Sequence, residues 1–166
     1  MKLETKRLEI VVLNSEQLNL LANNLKQLEK QLDFSYQGES LEGHFLEIIK
    51  EQINVTKNDE RNYPYHSFWL MIRKSDRVVV GSADFKDVPN EAGEIEIGYG
   101  LAKQFEHHGY MTEMVEAMCE WALQQDKVKS VIAETLKENV ASQSVLKRCN
   151  FSLDRENETF WWRLKK

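Results

Sequence analysis

The stretch Glu94-Ile95-Glu96-Ile97-Gly98-Tyr99-Gly100, followed shortly by Gly109-Tyr110-Met111-Thr112-Glu113-Met114-Val115-Glu116-Ala117-Met118, decides the fold. Its first part alternates charged and apolar residues with period two, the mark of a strand with one buried face. Its second part places Met111, Met114, Val115, Met118 and Ala122 at helical spacing, which predicts an amphipathic helix from Tyr110 to Gln125. Gly93, Gly98, Gly100 and Gly109 all fall in this window. A strand that ends in glycines and turns into a helix start exposes backbone N–H groups and the positive end of the helix dipole, a ready anion site. The same glycines suit a β-bulge and a turn equally well.

Upstream, Arg7–Leu13 is short and β-branched and reads as a strand. Asn14 or Ser15 then caps a leucine-rich helix carrying Leu18, Leu21, Leu25 and Leu28. Residues 33–40 read as a loop, Leu41 to about Asn54 as a second helix, and 55–65 as a loop. Two strands follow, Ser67–Arg73 and Val78–Phe85, joined by a tight turn. Gly81 inside the second suggests a bulge or a close backbone approach. Downstream, Lys129–Leu136 is a strand, Asn139 caps a short helix through Cys149, and 151–153 with 159–164 form a closing hairpin. The order β-αα-βββ-α-β-α-ββ precludes a uniform βαβ repeat, so the fold class is α+β, with a mixed α/β sheet.

Composition narrows the function classes. The chain has 166 residues, 22 basic and 27 acidic, for a net charge of −5. That length predicts one domain over residues 1–166. The acidic balance argues against nucleic acid and against an anionic membrane surface as partners. No stretch approaches the ~18–20 apolar residues of a membrane-spanning helix. The charged start Met1–Arg7 is unlike a signal peptide. Two cysteines, Cys119 and Cys149, without a C-x-x-C read as reduced thiols of a cytoplasmic protein.

The residues Glu94–Tyr99, then Glu106-His107-His108-Gly109-Tyr110-Met111-Thr112-Glu113, then Asn139-Val140-Ala141-Ser142 with Val145-Leu146 and Asn150-Phe151, resemble the GNAT superfamily of acetyl-CoA-dependent N-acetyltransferases. The opening Thr5-Lys6-Arg7-Leu8 is similar to its Rim-type, ribosomal-protein-alanine subgroup. The resemblance implies a mostly antiparallel central sheet with a splayed parallel strand pair, flanked by helices. It also implies transfer of acetyl from acetyl-CoA to a primary amine, by direct attack in a ternary complex. The acceptor would be a protein N-terminus, a ribosomal protein's among the candidates, or a small-molecule amine; the protein would be a monomer or homodimer needing no metal.

For the site, the resemblance implies coenzyme contacts from Ile97, Gly98, Tyr99, Gly100, Leu101, Glu106, His107, His108, Gly109, Tyr110, Met111, Thr112, Asn139 and Ser142. It implies Glu96, with Glu94 as alternative, as the base that deprotonates the amine, and Ser142 as hydrogen-bond partner of the departing thiolate. Leu146 stands where many relatives carry a tyrosine. The phosphate loop departs from the family pattern at both ends: Glu106 replaces the usual Arg or Gln, and Met111 the usual small residue. A carboxylate there is repulsive to pyrophosphate, which raises a second reading, a catalytically silent acyl-CoA-binding or interaction module. Plainer roles exist for the same residues. Glu94 and Glu96 suit a solvated strand face, Asn139 and Ser142 a helix start, and His107-His108 a loop. The methionine stripe suits core packing. Phe34, Tyr36, Tyr63, Tyr65 and Trp69 suit packing or an acceptor pocket, and Trp161-Trp162 puts one ring on each face of a strand.

Overall fold

The computed structural model describes residues 1–166. A nine-stranded mixed sheet forms its centre. The strands are β1 (Lys2–Glu4), β2 (Leu8–Val12), β3 (Ser35–Tyr36), β4 (Phe68–Arg73), β5 (Val78–Phe85), β6 (Glu94–Leu101), β7 (Ser130–Thr135), β8 (Ser152–Glu156) and β9 (Phe160–Lys165). Their spatial order is β1-β2-β4-β5-β6-β7-β9-β8, with β3 pairing alongside β5. Along the main order every pair is antiparallel except β6 with β7. This is the mixed, mostly antiparallel sheet expected. The helices are α1 (Ser15–Asn23), α2 (Leu25–Leu32), α3 (Gly43–Asn58), α4 (Tyr63–His66), α5 (Tyr110–Leu123) and α6 (Val140–Arg148).

Alternation along the strands splits the interior into two cores. Phe68, Leu70 and Ile72 of β4 face Leu18, Leu21, Leu28 and Ile49 of the early helices. Trp69 and Met71, one residue out of phase, face the opposite way with Ile95, Ile97, Met114, Met118 and Leu146, on the α5/α6 side. Each fully buried side chain of this size contributes about 1.5–3 kcal/mol. Trp69, Phe85 and Trp121 make a ring cluster with centroids 5.0–5.9 Å apart, and the Trp69 Nε1–H donates to the Pro64 carbonyl at 2.8 Å. The methionine stripe of α5 is core: Met114 and Met118 are fully buried.

The early region differs from its sequence reading in detail. The continuous leucine pattern spans two helices because Asn24 ends α1 and caps α2, its side chain accepting from the Gln27 N–H at 3.3 Å. The loop over 33–40 contains β3, too short to show a period. The second helix runs on to Asn58, since Thr56 is buried and donates to the His66 carbonyl. The loop over 55–65 also holds the single-turn α4, started by Pro64. The charged edge strand β1 has no hydrophobic pattern to announce it.

Candidate active site

The decisive geometry lies where β6 and β7 part. Their parallel register covers only Glu94↔Ser130, Ile95↔Val131 and Glu96↔Ile132. Beyond Glu96, β6 continues to Leu101 paired with β5 alone. The Lys86 N–H donates to the Glu96 carbonyl (3.0 Å) and the Ala102 N–H to the Val80 carbonyl (3.2 Å). Even-numbered residues of β6 therefore bond to β5, and the amides of Tyr99 and Leu101 face the space that β7 has left. Such peptide groups need partners from outside the ladder.

On the α5/α6 side the gap opens into a cleft of about 1100 Å³, just above the roughly 300–1,000 Å³ usual for small-molecule sites. Its lining includes Tyr99, Gly100, Leu101, Glu106, His107, Gly109, Tyr110, Met111, Thr112, Asn139 and Ser142. The structure thus brings most of the coenzyme candidates to one cavity. Ile97 and Gly98 lie outside it, Ile97 buried in the core. His108 is turned to its own loop, its Nδ1 2.6 Å from the Glu106 carbonyl oxygen and its ring stacked on Tyr110.

Gly109 caps α5 at φ +78°, a left-handed conformation that favours glycine, and offers no side-chain cap. The first N–H groups of α5 are accordingly free for an anion. The first-turn carboxylate, Glu113, would oppose one, but it is matched by Arg7: Nε donates to Glu113 at 2.8 Å and the Arg7 backbone N–H at 2.7 Å. Thr5 donates to the same carboxylate. Burial acts to raise the Glu113 pKa, and these bonds together hold it below the ordinary value. At the other wall, Asn139 caps α6 by accepting from the Ser142 N–H at 3.1 Å. The Ser142 hydroxyl lies 2.7 Å from the Tyr99 hydroxyl, and burial pushes the Tyr99 pKa up to about 12.

The two glutamates of β6 point to the opposite face, out of phase with Ile95 and Ile97. Their environments differ. Glu94 accepts from Arg163 at 2.6 Å and Asn90 at 3.1 Å, and these bonds hold its carboxyl below the usual range. Glu96 makes no side-chain hydrogen bond or ion pair. Partial burial, with help from Glu134 and Asp84 and against Lys86, raises its pKa. A half-buried, unpartnered carboxylate with a raised pKa is suited to taking a proton.

Two further residues join the site from distant parts of the chain. Glu39 reaches over Gly100, where a Cβ would lie 1.9 Å from its carboxylate, and burial raises its pKa. Arg7 reaches the phosphate loop across 101 residues to the His108 carbonyl. Of the aromatic candidates, Phe34 and Trp69 are core, Tyr65 packs on Phe85 and Trp121, Tyr63 accepts from the N-terminal amine, and the Tyr36 hydroxyl donates to the Glu39 carbonyl. Trp162 is buried and Trp161 lies on the other face under Arg155. Both cysteines are buried, with thiols held up by that burial.

A family model described as an acetyltransferase (GNAT) domain matches residues 7–152. The curated relative YjdG of Bacillus subtilis, described as an uncharacterized N-acetyltransferase, is 28% identical over 160 residues, covering 95% of this chain and 94% of that protein. Among solved structures, the ribosomal-protein-S5-alanine acetyltransferase of Vibrio fischeri superposes with a TM-score of 0.72 at 14% identity, covering 99% and 96% of the two chains. RimL, a ribosomal L7/L12 alpha-N-protein acetyltransferase solved with coenzyme A, gives 0.69 at 14% identity, covering 99% and 98%. At such identities the structural likeness speaks for the fold.

Proposed function

Since the chain belongs to the acetyltransferase (GNAT) domain family, whose activity is acetyl-CoA-dependent acetylation, we propose that it acts as a single domain over residues 1–166 and acetylates a primary amine by direct attack in a ternary complex. The observation that carries this reading is the parting of β6 from β7 immediately after Glu96, with a glycine-capped helix start on one side of the gap and an unpartnered carboxylate on the other.

The residues fit the coenzyme. Free amides of Tyr99 and Leu101 would take the pantetheine amides as an added strand. The amides of the 106–112 loop and first turn would take the pyrophosphate. The amine arrives protonated at neutral pH and must lose that proton to attack. Glu96, directly or through water, removes it; the nitrogen then bonds to the thioester carbonyl carbon, the carbon–sulfur bond breaks, and the nitrogen's second proton passes to the departing sulfur, leaving the amide and the free thiol. A β6 amide beside Tyr99 supports the oxyanion. The Tyr99–Ser142 hydroxyl pair donates to the departing thiolate. Glu94, engaged by Arg163, is the poorer base and orients the strand. The named functions of the structural relatives support a ribosomal-protein N-terminus as acceptor. The carboxylates of Glu39 and Glu96 favour a cationic amine of any source.

Two measurements test the proposal: calorimetric binding of CoA, and thiol release from acetyl-CoA with N-terminal peptides, polyamines and amino acids as acceptors. Binding with acceptor-dependent release is the expected result. No CoA binding at millimolar concentration overturns the assignment. Tight binding without turnover on any amine supports the alternative, an acyl-CoA-binding module that does no chemistry.

A further inference from the structure

The glycine loop poses a charge problem. Five carboxylates and three cations, Lys6, Arg7 and Arg148, line the cleft, and the loop itself opens with Glu106. Backbone N–H groups at the helix start hold a doubly charged pyrophosphate more strongly where a cation joins them. The loop contributes none.

The N-terminal segment does. Arg7 is fixed on three sides: Nε donates to Glu113 at 2.8 Å, Nη1 donates to the His108 carbonyl at 2.8 Å, and the guanidinium lies 4.7 Å from the centre of the Tyr110 ring. Its backbone N–H and the Thr5 hydroxyl hold the same Glu113 carboxylate, so the whole segment is pinned to the first turn of α5. Nη2 donates to no protein atom. It lies 3.3 Å from where a Cβ on Gly109 would be, at the mouth of the turn. Guanidinium presents its donors in a rigid fork, and this fork is already held with one edge spare.

We infer that Arg7 is a pyrophosphate-binding residue of the coenzyme site, supplying from the N-terminal segment the cation that the glycine loop lacks at Glu106. The inference rests on the acetyl-CoA reading above. It adds a requirement: residues 5–7 are part of the coenzyme site, although they lie about a hundred residues from its loop.

The test compares ligands of decreasing phosphate content, CoA, 3′-dephospho-CoA and pantetheine, on the wild type, Arg7→Gln and Arg7→Lys. Binding is measured by calorimetry, with displacement for the weak ligands, and folding is followed by thermal melting. Loss of one charge-assisted contact predicts about tenfold weaker binding of CoA and of dephospho-CoA by Arg7→Gln. Pantetheine binding should be unchanged, and Arg7→Lys should recover part of the loss. A general loosening of the fold would weaken all three ligands alike; that result, or equal CoA affinity in wild type and Arg7→Gln, overturns the inference. A defect that disappears with dephospho-CoA overturns the pyrophosphate assignment in favour of the 3′-phosphate. If the wild type binds no CoA, the acetyltransferase reading falls and this one with it. If the wild type binds and Arg7→Gln binds equally, only the role of Arg7 falls.

Discussion

Replacing Gly109 by alanine separates backbone strain from ligand binding. Gly109 sits at φ +78°, where a non-glycine residue pays about 1–2 kcal/mol. In a chain of this size each kcal/mol lowers the melting temperature by roughly 2–4 °C, so the variant should melt about 2–8 °C lower. The new Cβ would also lie 3.3 Å from Arg7 Nη2, close enough that the guanidinium must give way by a few tenths of an ångström. That shift disturbs the donor edge aimed at the pyrophosphate, and partial loss of one such contact predicts about three- to tenfold weaker CoA binding. Gly43→Ala is the matched control: its φ is +55°, nothing lies within 4 Å of its Cβ position, and it does not line the cleft. Melting curves and CoA titrations of both variants give the readout. Both should melt lower, and only Gly109→Ala should bind CoA more weakly. Unchanged CoA affinity in Gly109→Ala refutes the reading of this turn as an anion site. Unchanged melting in both refutes the strain argument.

Other expectations follow from neighbouring residues. Glu96→Gln should slow turnover by about a hundredfold at pH values between the Glu96 pKa and the amine's own pKa, with the deficit shrinking on either side of that window and CoA affinity unchanged; a uniform rate ratio across pH excludes Glu96 as base. The same variant tests linkage. Because the folded Glu96 pKa is raised, its contribution to stability is present below the unfolded pKa and lost as pH rises through the folded one. Glu96→Gln should therefore melt at or above the wild type at pH 8 and lose that advantage near pH 4, and the opposite order contradicts it. Ser142→Ala and Tyr99→Phe should each slow thiol release, and the double variant should be little worse than the worse single, because one hydrogen-bonded pair does the work; additive defects would mean two separate roles. Gly81→Ala would bring a Cβ within 2.5 Å of the Gly100 carbonyl oxygen across the β5–β6 ladder, so it should lower stability by about 1–3 kcal/mol and weaken CoA binding by shifting β6. Wild-type melting would show that the strands can part freely.

Legibility in the sequence followed the range of the signal. The alternation of β6 and the stripe of α5 are local patterns, and both elements stand where the pattern puts them. Gly81, read as a bulge or a close approach, sits where the β4–β5 register shifts and also faces the Gly100 carbonyl. The break at Asn24 was hidden because the leucines on either side keep helical phase across it. Asn23-Asn24 was the available hint. β1 and β3 are too short to hold a period. At the site, residues 99–112 come together because they are close in sequence, whereas Asn139 and Ser142 are brought to the other wall by the fold. Arg7 belongs to the opening Thr5-Lys6-Arg7-Leu8 and Glu39 to no motif, and their partners at Glu113, His108 and Gly100 are set only by the tertiary fold. The unequal state of Glu94 and Glu96 was illegible for the same reason: Arg163, which distinguishes them, arrives from the last strand.

The two faces of β6 carry a consequence for traffic. If coenzyme and amine reach this strand from opposite sides, they have separate doors and meet only through the slit beyond Glu96. Spent CoA and acetylated product can then leave in either sequence, neither waiting for the other. An inhibitor that joins the two substrates cannot slide in from one side. It must span both faces of β6 at once, passing through the gap beyond Glu96.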